Sequence, residues 1–183
     1  MNYAFILSVF AAPILASPVL AACSQGTDYS EKLSQIVDQM QFAPDQGTAQ
    51  VLAGEMWEIW LDAPDELAQA MLDEGLANVR YGDYILAKTA LSELIEYCPN
   101  YAEGYNQRAY VAFLSGDYAT ALTDLDAAIA LQPLHLGALT GKARTLIELG
   151  RNDEAQQVLR TALAINPWLG ERALLTDQLE TDI

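Results

Sequence analysis

The chain is poor in the residues that most enzymes and nucleic-acid binders need: 183 residues contain one histidine, two cysteines and nine Lys or Arg. A lone imidazole, His135, cannot build a histidine-based metal cluster, and its loop position gives no basis for a Ser/His/Asp triad. Nine cations against 25 carboxylates leave a net charge of −16, so most of the surface cannot displace counterions from phosphates, and nucleic acid is excluded as a partner. No glycine-rich phosphate loop is present, since Gly104 and Gly141 stand alone. The carboxylate pairs Asp65-Glu66, Asp73-Glu74 and Asp153-Glu154 fall at helix starts or on polar faces, where they favour the helix dipole or solubility. No catalytic residue, metal ligand or cofactor site is therefore expected, and the protein is expected to be non-enzymatic.

Long apolar runs are also scarce, with one exception. From Tyr3 to Ala22 the chain is almost wholly apolar and free of Asp, Glu, Lys and Arg, interrupted by Pro13 and Pro18. Its length approaches the roughly 20 residues of a transmembrane helix, but two prolines and an Ala-rich end favour a signal peptide over residues 1–22. Export, and with it a periplasmic location, is the expectation. The n-region lacks the usual Lys or Arg.

Cysteine is rare enough for each residue to matter. Cys23 ends the run Leu20-Ala21-Ala22-Cys23, which resembles a bacterial lipobox. That resemblance implies diacylglyceryl attachment to the Cys23 thiol and a membrane anchor, and Ser24 at the next position resembles outer-membrane sorting. In an oxidising compartment the same sulfur can instead form a disulfide with Cys98. A thioether sulfur cannot also be a disulfide sulfur, so the two fates exclude each other. A third reading leaves Cys98 as a small buried apolar residue at a helix end.

What the chain does have is a 34-residue period. Gly82, Gly116 and Gly150 are equally spaced, as are Ala87, Ala121 and Ala155, and Pro99, Pro133 and Pro167. Such spacing predicts an all-α array of antiparallel helix pairs. Units run over 68–101, 102–135 and 136–169. Each glycine follows the last periodic residue of a first helix, where a left-handed turn favours Gly. Asp83, Asp117 and Asn152 are expected to cap the second helices, and each proline ends one. Leu91, Leu125 and Leu159 fall on the buried stripe of the second helices.

Position 4 of the units holds Met71, Tyr105 and Leu139, position 8 holds Gly75, Ala109 and Ala143, and position 32 holds the prolines. With small residues also at position 20, the chain resembles a tetratricopeptide repeat (TPR) protein, and more narrowly the small exported TPR proteins of Gram-negative bacteria. One departure is Leu94, which stands where the family has a small residue and predicts looser packing. Residues 23–67 hold a linker and a degenerate helix pair, Ser30 to Gln41 and Asp45 to Leu61, expected to serve as an irregular unit or cap. Residues 170–183 hold a tail and an expected capping helix from Gly170 to Leu179. Met56, Trp57 and Trp60 read as core, with an exposed Trp57 or Trp60 as a binding anchor in the alternative.

The resemblance implies a concave groove lined by the first helix of each unit and used to bind a peptide or protein. Its distinctive positions here are Arg80, Asn106, Tyr110, Phe113 and Arg144. The Lys/Asn set with which chaperone-binding members grip a terminal carboxylate is not reproduced. Arg80 and Arg144, with Arg108 and Lys142 nearby, suggest a cationic patch suited to an acidic peptide, although Arg108 reads more readily as packing. The leading expectation is an adaptor or scaffold of the bacterial cell envelope with an unidentified protein or peptide partner, meeting a membrane only through its signal or a lipid on Cys23. Self-association in envelope assembly is the structural alternative, and thiol redox work by Cys98 with Cys23 the enzymatic one.

Overall fold

A computed structural model describes residues 22–176. Residues 1–21 of the proposed signal segment and the end of the tail lie outside the described residues. Among the described residues the secondary structure is entirely helical. The first unit pairs α3 (Glu66–Tyr81) with α4 (Tyr84–Tyr97), the second α5 (Ala102–Leu114) with α6 (Tyr118–Leu131), and the third α7 (Leu136–Glu148) with α8 (Asn152–Ile165). Before them stand α1 (Ser30–Gln41) and α2 (Gln46–Leu61), and after them a 3-10 turn, Gly170–Leu174. This is the solenoid of helix pairs that the period predicts. None of the described helices is long and apolar enough to cross a membrane.

Local chemistry sets the boundaries. Gly82, Gly116 and Gly150 have φ of 75°, 75° and 71°, the left-handed turn a side chain would strain. Asp65, Asp83 and Asp117 each accept a backbone N–H from the third residue onward, at 2.9, 3.1 and 3.2 Å. Asn152 does not cap α8: it is the first helical residue, and Arg151 occupies the cap position without a side-chain bond. The end of that helix is instead favoured by Asp153 and Glu154 in its first turn.

Within a pair, missing side-chain volume permits close approach. A Cβ on Gly75 would lie 2.7 Å from the Leu91 side chain, so α3 and α4 meet where α3 has no side chain. Leu94 does not loosen the first unit. It is fully buried, and Gly104 of α5 leaves room for it. Between α5 and α6, Arg108 clasps Asp124 with both ends of its guanidinium, at 2.8 and 2.7 Å, and also donates to Ser92 of α4. That clasp gives Arg108 the packing role.

The N-terminal pair does not take a place in series ahead of the first unit. Its apolar face, including Leu33, Ile36 and Met40 of α1 and Leu52, Met56, Ile59 and Trp60 of α2, forms one core with Leu136 and Leu139 of α7 and Ala162 and Ile165 of α8. The Gln41 amide donates to the carbonyls of Ala164 and Ile165 at the end of α8. The hairpin thus has its tip at the third unit. Its root is at the first, where Tyr29 donates to Asp62 and Ser24 bonds Pro64 and Asp65. Beside that root, Cys23, Leu61 and Ala63 pack on the core of α3 and α4. The apolar residues at the ends of α7 and α8 offer the hairpin a complementary face, which explains why it folds back rather than stacking onward.

At the other end, the expected helix from Gly170 shrinks to the 3-10 turn. The Gln156 side chain donates to the carbonyl of Leu174 and accepts from the N–H of Thr176, fixing an extended exit where the helix would have continued. Asp177 to Leu179 lie outside the described residues.

Candidate functional site

Helical spacing brings Asn106, Tyr110 and Phe113 to one face of α5, and Gly137, Thr140, Gly141 and Arg144 to one face of α7. Between these faces lies a cleft of about 500 Å³. Four of the five distinctive groove residues, Asn106, Tyr110, Phe113 and Arg144, line it together. Arg80 does not: it is exposed on α3, outside the lining.

The cationic patch expected around Arg80 and Arg144 is not assembled either. Arg108 is held by Asp124, Lys142 lies 2.6 Å from Asp126, and Arg144 lies 2.9 Å from Glu171 of the 3-10 turn. The partner of Arg144 could not be read from the repeat register, because Glu171 belongs to the non-repeating end.

One wall comes from outside the repeats. Trp57 of α2 lines the cleft and keeps 38% of its surface exposed, whereas Trp60 is buried. The core reading therefore holds for Trp60 and only partly for Trp57. Glycine makes the approach possible: a Cβ on Gly137 would lie 2.7 Å from Cη2 of Trp57. The two indoles meet edge to face, with centroids 5.2 Å apart.

A buried polar cluster supports the same corner. The Glu103 carboxylate, fully shielded from solvent, accepts from Asn106 Nδ2 at 3.1 Å and from Gln107 Nε2. Its third partner is His135 Nε2, at 2.7 Å. His135 Nδ1 accepts the N–H of Ala138, capping α7, so the proton belongs on Nε2 and is donated to Glu103. His135 is thus a structural residue that ties the start of α7 to α5. Asn106 uses its amide nitrogen on Glu103 and is itself buried, leaving its carbonyl oxygen as the group it offers the cleft. Sequence reasoning missed this cluster because Glu103 and His135 stand at opposite ends of the 102–135 unit, at positions where the other units carry different residues. Tyr101 donates to the carbonyl of Trp60 at 2.7 Å; burial foremost, then the charges of Glu103, Asp62 and Asp73, pushes its hydroxyl well above the ordinary tyrosine range.

Away from the cleft, Cys23 and Cys98 form a disulfide with Cα atoms 5.2 Å apart, closing a sequence separation of 75. A sulfur in that bond is not available to a lipid. Asp65 lies beside the pair and accepts from the Ser24 and Ala68 N–H groups and from the Tyr97 hydroxyl. The Ser24 N–H first, then that of Ala68, holds its carboxyl below the usual range. Although the two sulfurs and this carboxylate are close enough to suggest a metal centre, the sulfurs are bonded to each other and three donors already occupy the carboxylate. The cluster as it stands suits a covalent staple, not an ion.

Tetratricopeptide repeat family models match residues 72–135 and 112–168, together spanning most of the three units. A TPR repeat-containing protein of Rhizobium etli is 26% identical over 167 residues, covering 90% of this chain and 82% of that protein. A tetratricopeptide repeat protein 36 homolog of Nematostella vectensis is 37% identical over 70 residues, 38% of each chain. Among solved structures, the first TPR of Spaghetti (RPAP3) bound to the HSP90 peptide SRMEEVD superposes with a TM-score of 0.57 at 20% identity, covering 58% of this chain and 85% of that one. The TPR2B domain of yeast Sti1 in its pHsp70 complex gives 0.54 at 26% identity, covering 55% and 81%. Matching family models, a shared fold and the left-handed glycines in register agree: the chain belongs to the tetratricopeptide repeat family.

Proposed function

We propose that this protein is a non-enzymatic binding module that takes a peptide or protein segment into the cleft between α5 and α7, acting as an adaptor or scaffold. The observation that carries this reading is the cleft's composition. Exposed surface from Tyr110, Leu114 and Trp57 surrounds it with the half-buried Phe113, and Arg144 is the only charged residue lining it among the described residues. Aromatic anchors in a concave site are the groups that most often dominate peptide and protein recognition. The complexes of Spaghetti and Sti1 with chaperone peptides support a peptide ligand as a general class.

An exported, envelope location belongs to the same proposal. A Cys23–Cys98 disulfide suits an oxidising compartment, and the apolar segment before Cys23 suits a secretory signal. A photo-crosslinker placed at Tyr110, with a second placed at the exposed Lys88 of α4 as a control, tests the reading in cell-envelope extract. Capture of one discrete protein at Tyr110 and not at Lys88 is the expected result. Equal capture at both positions counts against the cleft.

A further inference from the structure

We propose that Glu171 is a tethered competitor for the cleft, holding on Arg144 the place that a carboxylate of the partner takes on binding. This inference rests on the cleft being the binding site and names the partner's chemistry: a peptide with a carboxylate beside a large apolar side chain.

The charge pattern carries the argument. In a chain of net charge −16, the one ionised side chain lining the cleft among the described residues is a cation. Its side chain is 56% exposed, so solvent and ligand can both reach it. Glu171 Oε1 accepts from both Nε and Nη2 of Arg144, at 3.3 and 2.9 Å. A single carboxylate oxygen shared between two donors leaves the parallel two-oxygen fork unmade. By contrast, Arg108 makes that fork with Asp124, using both oxygens. An incoming carboxylate that made the fork with Arg144 would gain the better geometry.

The segment that presents Glu171 is lightly held. It is a single 3-10 turn with no buried residue, and the nearby chain is fixed to α8 through the Gln156 side chain at Leu174 and Thr176. Swinging Glu171 off Arg144 leaves those two bonds in place. Because the pair is open to solvent on its Arg144 side, although the Glu171 side chain is only 17% exposed, the competition is a modest brake and not a lock. Next to Arg144, the apolar walls of Tyr110, Phe113 and Trp57 supply the surface for the side chain adjoining the carboxylate.

Two fluorescein-labelled probes separate the outcomes: a peptide alternating Leu and Asp with a free C-terminus, and its counterpart with Asn for Asp and an amidated end. Binding is measured by anisotropy to the full folded chain, to E171Q, to R144Q and to the double variant, with thermal melts confirming that each is folded. The expected result is acidic-probe affinity about two- to fivefold higher for E171Q, the scale of losing an exposed pair. Neutral-probe affinity is expected to be the same for E171Q and the parent, and E171Q is expected to have no effect in the R144Q background. Acidic-probe binding that is unchanged or weaker in E171Q overturns the competitor role while leaving the cleft as the binding site. An equal gain for both probes also overturns it, since that would be steric opening and not competition for charge. Failure of both probes to bind any variant overturns the cleft reading and this inference with it.

Discussion

Trp60 lies face to face with His135, their ring centroids 4.3 Å apart and their planes 13° from parallel. One ring belongs to the N-terminal hairpin and the other to the last residue of the second unit, which caps α7, so this stack joins the non-repeating part of the protein to the repeats. Trp60→Ala is expected to remove it along with the packing against Met56 and Leu136, at about 3–5 kcal/mol, the usual cost of truncating a buried tryptophan. Urea denaturation followed by circular dichroism measures the loss. A change below 1 kcal/mol would show that the hairpin contributes little to the stability of the array.

The Glu103 cluster predicts a sign reversal between single and double variants. His135→Ala withdraws one neutral donor from a buried carboxylate and removes the α7 cap, and is expected to cost about 2–4 kcal/mol, the sum of a lost hydrogen bond to a buried charged group and a lost cap. Adding Glu103→Gln removes the charge that had lost its partner, so the double variant is expected to be more stable than His135→Ala alone. The coupling energy from the four proteins is the readout. Additive costs would mean that the two side chains do not act on each other.

Gly137 tests how tightly the hairpin sets the cleft wall. In Gly137→Ala the new Cβ would meet Cη2 and Cζ2 of Trp57 at 2.7 and 3.0 Å, forcing the indole outward. Overpacking of this kind costs about 1–3 kcal/mol. Trp57 is expected to become more exposed, moving tryptophan emission to the red, and the shift should vanish when the same change is made in a Trp57→Phe background. An unchanged spectrum in Gly137→Ala would place the freedom to adjust in α7 and not in Trp57.

The repeats were legible because their positions obey a period that packing and turns impose. Gly82, Gly116 and Gly150 need left-handed backbone, and Gly75 and Ala109 sit where helices approach closely; each is determined by its own unit. The groove face followed from the same spacing, which is why Tyr110, Phe113 and Arg144 were found together. What the period could not reveal lies outside the units or at their non-periodic positions. The contact of Trp57 with Gly137 and the pairing of Glu171 with Arg144 depend on where a non-repeating segment comes to rest, and the bond of His135 to Glu103 joins two non-periodic residues at opposite ends of one unit. No periodic signal encodes that. The fate of Cys23 was open for a related reason, since a sequence shows which thiols exist but not which of them meet.

Stability is expected to fall at both extremes of pH, for opposite reasons. The carboxyls of Asp45, Asp65 and Asp117 are each held below their ordinary value, chiefly by a backbone N–H for Asp45 and Asp65 and by the Thr120 side chain for Asp117. A group whose folded value is depressed stabilises the protein above its unfolded value of about 4 and loses that contribution as pH drops through the folded value. Tyr101 works the other way: its folded value is raised by burial, so its contribution is complete below about pH 10 and declines as pH rises further, when only the unfolded chain ionises. Denaturation midpoints from pH 2 to 11 measure both limbs. Tyr101→Phe should flatten the alkaline limb alone, and an alkaline limb that keeps its slope in that variant would assign it to other tyrosines.

The disulfide is expected to be the largest single covalent contribution to stability, because it closes a loop with a sequence separation of 75. In the chain-entropy account a loop of that length confers at most roughly 4.5 kcal/mol, with native strain subtracting from it. Its position sharpens the expectation. Cys23 is fixed beside the root of the hairpin, next to the Ser24 bonds to Pro64 and Asp65, so opening the bond releases the segment that leads into α1. Replacing both cysteines with serine should therefore lower the urea midpoint and raise amide exchange first in residues 22–41, with α5 to α8 following only on global unfolding. Intact mass of protein isolated from its native envelope decides between the two fates of Cys23. A mass two hydrogens below the reduced chain is expected, and a diacylglyceryl adduct on Cys23 would replace the staple by a membrane anchor.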